Sequence, residues 1–238
     1  MLNSKIEQIE NYVKQLMSAV ASPALHIGHD FKHVDRVRRW ALCIAQAEGL
    51  ELELVEAAAL LHDIGLTRIE TEQRRQHARV GAELAAQYLN ERQLFNRQEV
   101  DLIVEAIRCH SSPSGGGAVG TVLRDADKLD ALGAVGVIRA FTSQATKPEY
   151  ALPTVKGQTW QMTMGEFEKR FSEGPGIGEC IVDQINFQIS FYGDLHTETA
   201  KRLGKPLVDF MEAYLVQLDA EIMATRGAGE KSEDRVGS

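Results

Sequence analysis

The chain holds seven histidines, and several of them stand beside acids or where helices would bring them together. The sharpest case is His62-Asp63, which closes the apolar run in AAALLHDIGL. Adjacent side chains diverge by about 100° on an α-helix, yet near its last turn both can reach one point beyond the helix end. An imidazole nitrogen and a carboxylate oxygen together are a donor set for zinc, manganese or ferrous iron. A metal needs further arms. The sequence offers His33 in GHDFKHVDRV, Asp127 in RDADKLDALGA, His77 in RRQHARVGAE and His110 in AIRCHSS. Each alone has a plain structural reading: a His-Asp pair that caps a helix, a histidine at a helix edge, an aspartate N-cap. Together, embedded in apolar runs, such groups would cost on the order of several kcal/mol if buried without partners. A metal best reconciles the cluster.

The elements that must position these residues read as helices. Ile6, Ile9, Val13, Leu16, Met17 and Val20 form an amphipathic stripe that Ser22-Pro23 closes. A second helix is predicted from its N-cap Asp30 to Glu48, with Gly49 as its stop, and a third from Glu51 to Ile64, ended by Gly65. Helical period recurs over 76–89, over 97–109 and, beyond the loop SSPSGGG, over 119–141. Residues 142–165 lack a clean period and carry Pro148 and Pro153, so they read as a long connection. Ile185, Phe187, Ile189 and Phe191 alternate as in a strand, but Ile181, Ile185, Ile189 and Tyr192 also fit a helix, and a lone strand is marginal; helix is favoured. A closing helix runs over 205–223. The expected organisation is one all-α domain over 1–225, with motif core 28–141, loop 142–165 and C-terminal helices 166–225, then a disordered tail over 226–238.

Composition narrows the function. The 238 residues are 44% hydrophobic and 25% charged, as in an ordinary globular protein. No apolar run approaches the roughly 20 residues of a membrane span, and the polar N-terminus lacks the apolar core of a signal peptide. That reading points to the cytoplasm and to no membrane partner. A net charge of -8 argues against broad nucleic-acid binding but leaves room for a small basic pocket. Cys43, Cys109 and Cys180 are distant from one another and odd in number, so neither a disulfide framework nor a thiolate zinc site is suggested. The glycines at 115–117 lack the trailing Lys-Ser/Thr of a phosphate-binding loop. The basic RRQHAR reads as a solvated helix start.

The order His33, His62-Asp63, Asp127 resembles the HD-domain metal-dependent phosphohydrolases, an all-helical family. The resemblance runs from about Gly28 to Phe141 and rests on GHDFKHVDRV, LLHDIGL and RDADKLDALGA. It implies an HD-type helical bundle with a C-terminal helical extension, and it makes His33, His62, Asp63 and Asp127 the metal ligands. The HDIG spelling, with His77 and His110, is similar to branches in which two further histidines complete a second metal site. Ser111 departs from the cyclic-dinucleotide-cleaving subgroup, which usually has a second histidine there, and Leu66 stands where that subgroup often has lysine. The C-terminal part, with LHTETAKRL, looks like uncharacterised bacterial relatives that hydrolyse nucleotides or other phosphate esters.

The expected cofactor is therefore a divalent ion (Mn, Fe, Zn, Co, Ni or Mg), one or two per chain, with Asp63 the natural bridge. Such a metal acidifies water to give a nucleophile and polarises a phosphoryl oxygen. Lys128 and Arg36 are the candidates to hold phosphate charge, against a plain reading as surface salt bridges. Asp130 is a candidate partner for a ligating imidazole, and His29 and Asp30 read as capping or supporting residues. The expected function is hydrolysis of a phosphate ester or anhydride, of a small nucleotide above all. The alternative is a non-catalytic metal-binding or ligand-sensing helical domain. A homodimer is left open. Residues 142–165, with Lys147, Lys156, Tyr150 and Trp160, are expected either to cover the metal pocket as a mobile loop or to pack against the C-terminal helices.

Overall fold

Asp30 starts the helix that carries His33: in the computed structural model its Oδ1 accepts the His33 backbone N–H at 3.1 Å. That helix, α2 (Phe31–Glu48), ends where Gly49 turns left-handed at φ 70°. Residues 4–19 and 28–233 are described, and among them the chain forms ten α-helices and no strand. The predicted closure of the first helix at Ser22-Pro23 lies outside these residues, as do 234–238 of the expected tail.

The contacts gather into two compact units. The first comprises Met1–Asp130 and Leu195–Leu203. Here α1 (Ser4–Ser18) lays Ile6, Ile9 and Val13 against α3 (Leu52–Leu61). Leu54, Val55 and every residue from Ala57 to Leu61 in α3 are buried, so this helix is the core of the unit. α2 packs against α3 and α6 (Gly117–Asp130), while α4 (His77–Arg92) packs against α5 (Arg97–Cys109), which also meets α3 and α6.

The third helix ends at Leu61, earlier than the predicted Ile64, and the chain tightens into a 3-10 turn over Ile64–Arg68. Gly65 makes that turn possible. A Cβ there would run into the His77 carbonyl and the Gly81 amide. Its absence lets the start of α4 approach the end of α3, which brings His77 towards His62-Asp63. The unit is closed by Asp125, fully buried in α6, which accepts the backbone N–H groups of His196 at 2.9 Å and Thr197 at 2.8 Å. The LHTETAKRL segment is thus tied to the helix that ends in Asp130.

The second unit holds Ala131–Asp194 and Gly204–Ser238. The continuous helical pattern over 119–141 is broken in the structure. α6 stops at Asp130, and α7 (Gly133–Ser143) begins at Gly133, whose φ of 69° interrupts the helix. Next come α8 (Met164–Glu173), opened by a Thr163/Glu166 capping box, and α9 (Ile181–Ser190). The ambiguous stretch therefore adopts the favoured helical form. The last helix, α10 (Glu198–Glu233), is longer at both ends than the predicted 205–223, and residues 226–233 are helical where a disordered tail was expected.

Within this unit the segment 142–165 is not a free cover. Val155 and Thr159 are wholly buried. The buried Asp183 of α9 accepts the Thr159 hydroxyl at 2.7 Å, and the Asn186 amide donates to the Lys156 carbonyl at 2.8 Å. Lys147 donates to the Gly178 carbonyl at 2.8 Å, while Lys156 lies 5.4 Å from the Trp160 ring centre and 3.7 Å from Asp219. Lys147, Lys156 and Trp160, three of the four side chains expected to meet phosphate or base, are engaged within the unit. The packed alternative holds over this stretch, because polar groups that deep need their partners.

Candidate metal centre

Four imidazoles turn one nitrogen outward to a fixed acceptor and the other inward. His62, at the C-cap of α3, and His110, at the C-cap of α5, direct Nδ1 to the carbonyls of Ala59 at 2.8 Å and Ile107 at 2.7 Å. His77, at the start of α4, does the same to Arg74 at 2.8 Å. His33 directs Nδ1 to Asp130 Oδ2 at 2.7 Å. A carbonyl or carboxylate oxygen can only accept, so these contacts assign the proton of each neutral ring to Nδ1. All four Nε2 lone pairs then face inward, the arrangement that backs metal-ligating histidines.

The lone pairs converge in two pairs on one carboxylate. The Nε2 atoms of His33 and His62 are 3.3 Å apart, and those of His77 and His110 are 3.0 Å apart. Asp63 divides its oxygens between them. Oδ2 lies 3.4 Å from His33 and 3.5 Å from His62, while Oδ1 lies 3.7 Å from His77 and 3.8 Å from His110. Asp127 brings Oδ1 to 3.4 Å from His33 Nε2. Three overlapping donor groups result, His29/His33/Asp63, His33/His62/Asp127 and Asp63/His77/His110. In the first, both ring nitrogens of His29 already have partners in Asp63 and Arg74, which leaves the last two as the groups whose imidazole lone pairs all face inward. Facing lone pairs at such distances repel unless a proton or a cation lies between them. These residues fit a divalent ion in each of the two.

Electrostatics favour the metal-ready state. Burial opposes charge on Asp63, but the neighbouring imidazoles, His62 and His29 first among them, and the hydrogen bond from His29 outweigh it and hold the carboxyl well below the usual range. Burial likewise opposes charge on Asp127, where His33 and His62 prevail and lower its pKa. Burial pushes His110 down to about 4, with His62 and His77 adding to the effect against Asp63. The acids are thus anionic and His110 is neutral near neutral pH, as ligands must be.

The six expected ligands come together. The two expected phosphate holders do not stand alike. Arg36 is turned to Asp130, with Nε 2.6 Å from Oδ1 and Nη2 3.1 Å from Oδ2, so it serves the site through the carboxylate that orients His33. Lys128 is half-buried and follows Asp127 on α6, about 100° round the helix from it. Asp30 caps α2. His29 reaches further into the site than a cap would: its Nδ1 lies 2.8 Å from Asp63 Oδ2. Sequence reasoning missed Arg74, whose guanidinium lies 2.7 Å from His29 Nε2, and Ser111, whose hydroxyl lies 3.1 Å from His77 Nε2. Arg74 had one readable sign, its position three residues before His77.

A helical unit in which neutral imidazoles and carboxylates converge in this way is a metal-binding one. The HD domain model matches residues 30–132. Bacillus subtilis YpgQ is 30% identical over 151 residues, covering 59% of this chain and 67% of that protein. The chain belongs to the HD-domain family. Among solved structures, a Lactobacillus plantarum protein superimposes with a TM-score of 0.67 at 26% identity, covering 94% of this chain and 100% of that one. A predicted HD superfamily hydrolase from an uncultured Thermotogales bacterium gives 0.59 at 27% identity, over 90% and 91% of the two chains. YpgQ in complex with ADP shares the fold, with a TM-score of 0.62 at 24% identity over 91% and 94%. The fold class is that of the HD hydrolases. No helix among the described residues is long and apolar enough to cross a membrane.

Proposed function

We infer that the chain is a metal-dependent phosphohydrolase that cleaves a phosphate ester or anhydride of a small nucleotide. The observation that carries this reading is the division of the Asp63 carboxylate, one oxygen towards each histidine pair. His33, His62 and Asp127 would hold one divalent ion, and His77 and His110 a second, with Asp63 shared. Ions bound there supply Lewis acidity, which makes water a nucleophile near neutral pH and offsets phosphate charge.

The protein's own groups prepare that chemistry. The carbonyls of Ala59, Arg74 and Ile107 and the Asp130 carboxylate fix four rings with Nε2 inward. Arg36 in turn fixes Asp130. In hydrolysis a water oxygen bonds to phosphorus as the bond to the leaving oxygen breaks, and fixed donors lower the reorganisation this needs. Lys128, beside Asp127, is one residue we assign to phosphate charge. The ADP in the YpgQ crystal supports a nucleotide-sized substrate.

Phosphate release from a panel of nucleotides and simple phosphate esters, with manganese, cobalt or magnesium, tests the reading. Turnover that needs the metal and disappears in Asp63→Ala, together with the metal, is the expected result. Full metal occupancy with no turnover on any substrate would favour the ligand-sensing alternative.

A further inference from the structure

The geometry points to Arg74 as the phosphate-binding residue of this centre, selecting a terminal phosphoryl group over an internal diester. This rests on the phosphohydrolase reading of the same site. Arg74 lies on the exposed 3-10 segment Thr71–Gln76, outside the helices that supply ligands. It nevertheless touches both halves of the centre. Its backbone carbonyl accepts His77 Nδ1 at 2.8 Å, and its Nη2 lies 2.7 Å from His29 Nε2. The other nitrogen of His29 lies 2.8 Å from Asp63 Oδ2. A cationic side chain therefore stands two hydrogen bonds away from the shared carboxylate.

The protons in that chain are settled by chemistry. A guanidinium only donates, so His29 Nε2 must accept, and His29 Nδ1–H then donates to Asp63. His29 so placed is an orienting group, with no lone pair left for a cation. Arg74 spends its charge on this neutral ring. Among the described residues no carboxylate pairs with its guanidinium. The contrast with Arg36 is direct, since that residue is clasped by Asp130. In a chain of net charge -8, an exposed guanidinium held beside a metal-binding centre without an anionic partner has an anion as its natural ligand. Its planar fork suits two oxygens of one phosphoryl group. A terminal phosphoryl group has three non-ester oxygens, enough to meet the cation centre and the fork together. An internal diester has two, so one partner goes short.

Two measurements separate this inference from the reading beneath it. The first is binding of inorganic phosphate to manganese-loaded protein by calorimetry, which needs no turnover. Wild type should bind, Arg74→Ala should bind at least about tenfold more weakly, and Arg74→Lys should recover part of the loss. Equal affinity in wild type and Arg74→Ala overturns the assignment, as does a wild type that binds no phosphate. The second compares p-nitrophenyl phosphate with bis(p-nitrophenyl) phosphate. Arg74→Ala should raise KM for the monoester at least about tenfold with manganese content unchanged, while the diester shifts less than about twofold. An equal loss on both substrates overturns the selectivity. Phosphate binding that depends on Arg74, in a protein that hydrolyses neither ester, would retain the phosphate site and remove the phosphohydrolase reading.

Discussion

Asp130 accepts the Nδ1 proton of His33 at 2.7 Å while Arg36 clasps the same carboxylate from the far side at 2.6 and 3.1 Å. Both Asp130 and His33 are buried, so neither has water as a substitute partner. The ring of His33 is aimed by this pair. Asp130→Asn keeps the shape but removes the charge that both neighbours require. Manganese affinity should fall about 10- to 100-fold, the range for groups that orient a ligating histidine. The melting temperature of the metal-free protein should change much less. An unchanged manganese affinity, measured by competition with a chelating dye, would show that Asp130 does not orient His33.

The split of Asp63 between two histidine pairs predicts a difference in metal stoichiometry. His110→Ala removes a donor from the Asp63/His77/His110 group only, whereas Asp63→Ala removes the carboxylate that faces both histidine pairs. Elemental analysis should give a loss of one ion per chain for the first variant and of all bound metal for the second. Stripping the wild type with a chelator should lower its melting temperature, because the facing lone pairs lose their cation. Metal present at a thousand times its dissociation constant stabilises a protein by about 4 kcal/mol. One ion per chain in the wild type, unchanged in His110→Ala, would dismiss the second group.

The proposed ligand set was legible because it is written compactly: His62-Asp63, the His33 motif and the Asp127 motif each lie on or beside a helix with a clear apolar face. Asp130 was legible from its spacing to Asp127. What joins His29 to Asp63 and Arg74 to His29 was not. Those pairs are separated by 34 and 45 residues, and no local period reports a hydrogen bond across such a span. The division after Asp130 was hidden for a related reason. The apolar period runs through Ala131 and Leu132 without a fault, and only the left-handed Gly133 breaks the helix. In α9 the helix was legible from Ile181, Ile185 and Ile189, but not that it buries Asp183, Asn186 and Gln188 among its apolar residues. Those polar side chains hold loops, a role that the sequence leaves unmarked.

Asp183 is the chief of these. It accepts the Thr159 hydroxyl at 2.7 Å and the backbone N–H groups of Glu179 at 3.0 Å and Cys180 at 3.1 Å. Asp183→Ala leaves those donors without an acceptor and should cost about 3 kcal/mol, as for buried hydrogen bonds to a charged group. The segment around Lys156 should then open. Limited trypsin digestion reads this directly, since cleavage after Lys156 requires the backbone to leave its pinned position. The variant should be cut there well before the wild type. Equal cleavage rates would mean that the segment is held by other contacts.

Away from the metal centre, Arg38 gathers three acids. Its Nη1 lies 3.3 Å from both Glu10 and Glu56, and its Nη2 lies 2.6 Å from Asp35. Glu56 does not gain enough from this. Burial raises its pKa, and Glu10 and Glu53 add to the rise against the pull of Arg38. A carboxyl whose pKa is raised by folding binds its proton more tightly in the folded state. Stability from this group is therefore complete below the ordinary glutamate pKa and declines as pH rises through the raised one. Glu56→Gln keeps an oxygen for Arg38 and removes the titration. The variant should match the wild type in acid and exceed it at pH 7, by less than about 1 kcal/mol because the group is partly exposed to screening solvent. Urea unfolding at pH 4 and pH 7 gives the comparison. A wild type that is the more stable of the two at pH 7 would mean that the ion pair with Arg38 outweighs the cost of burying the Glu56 charge.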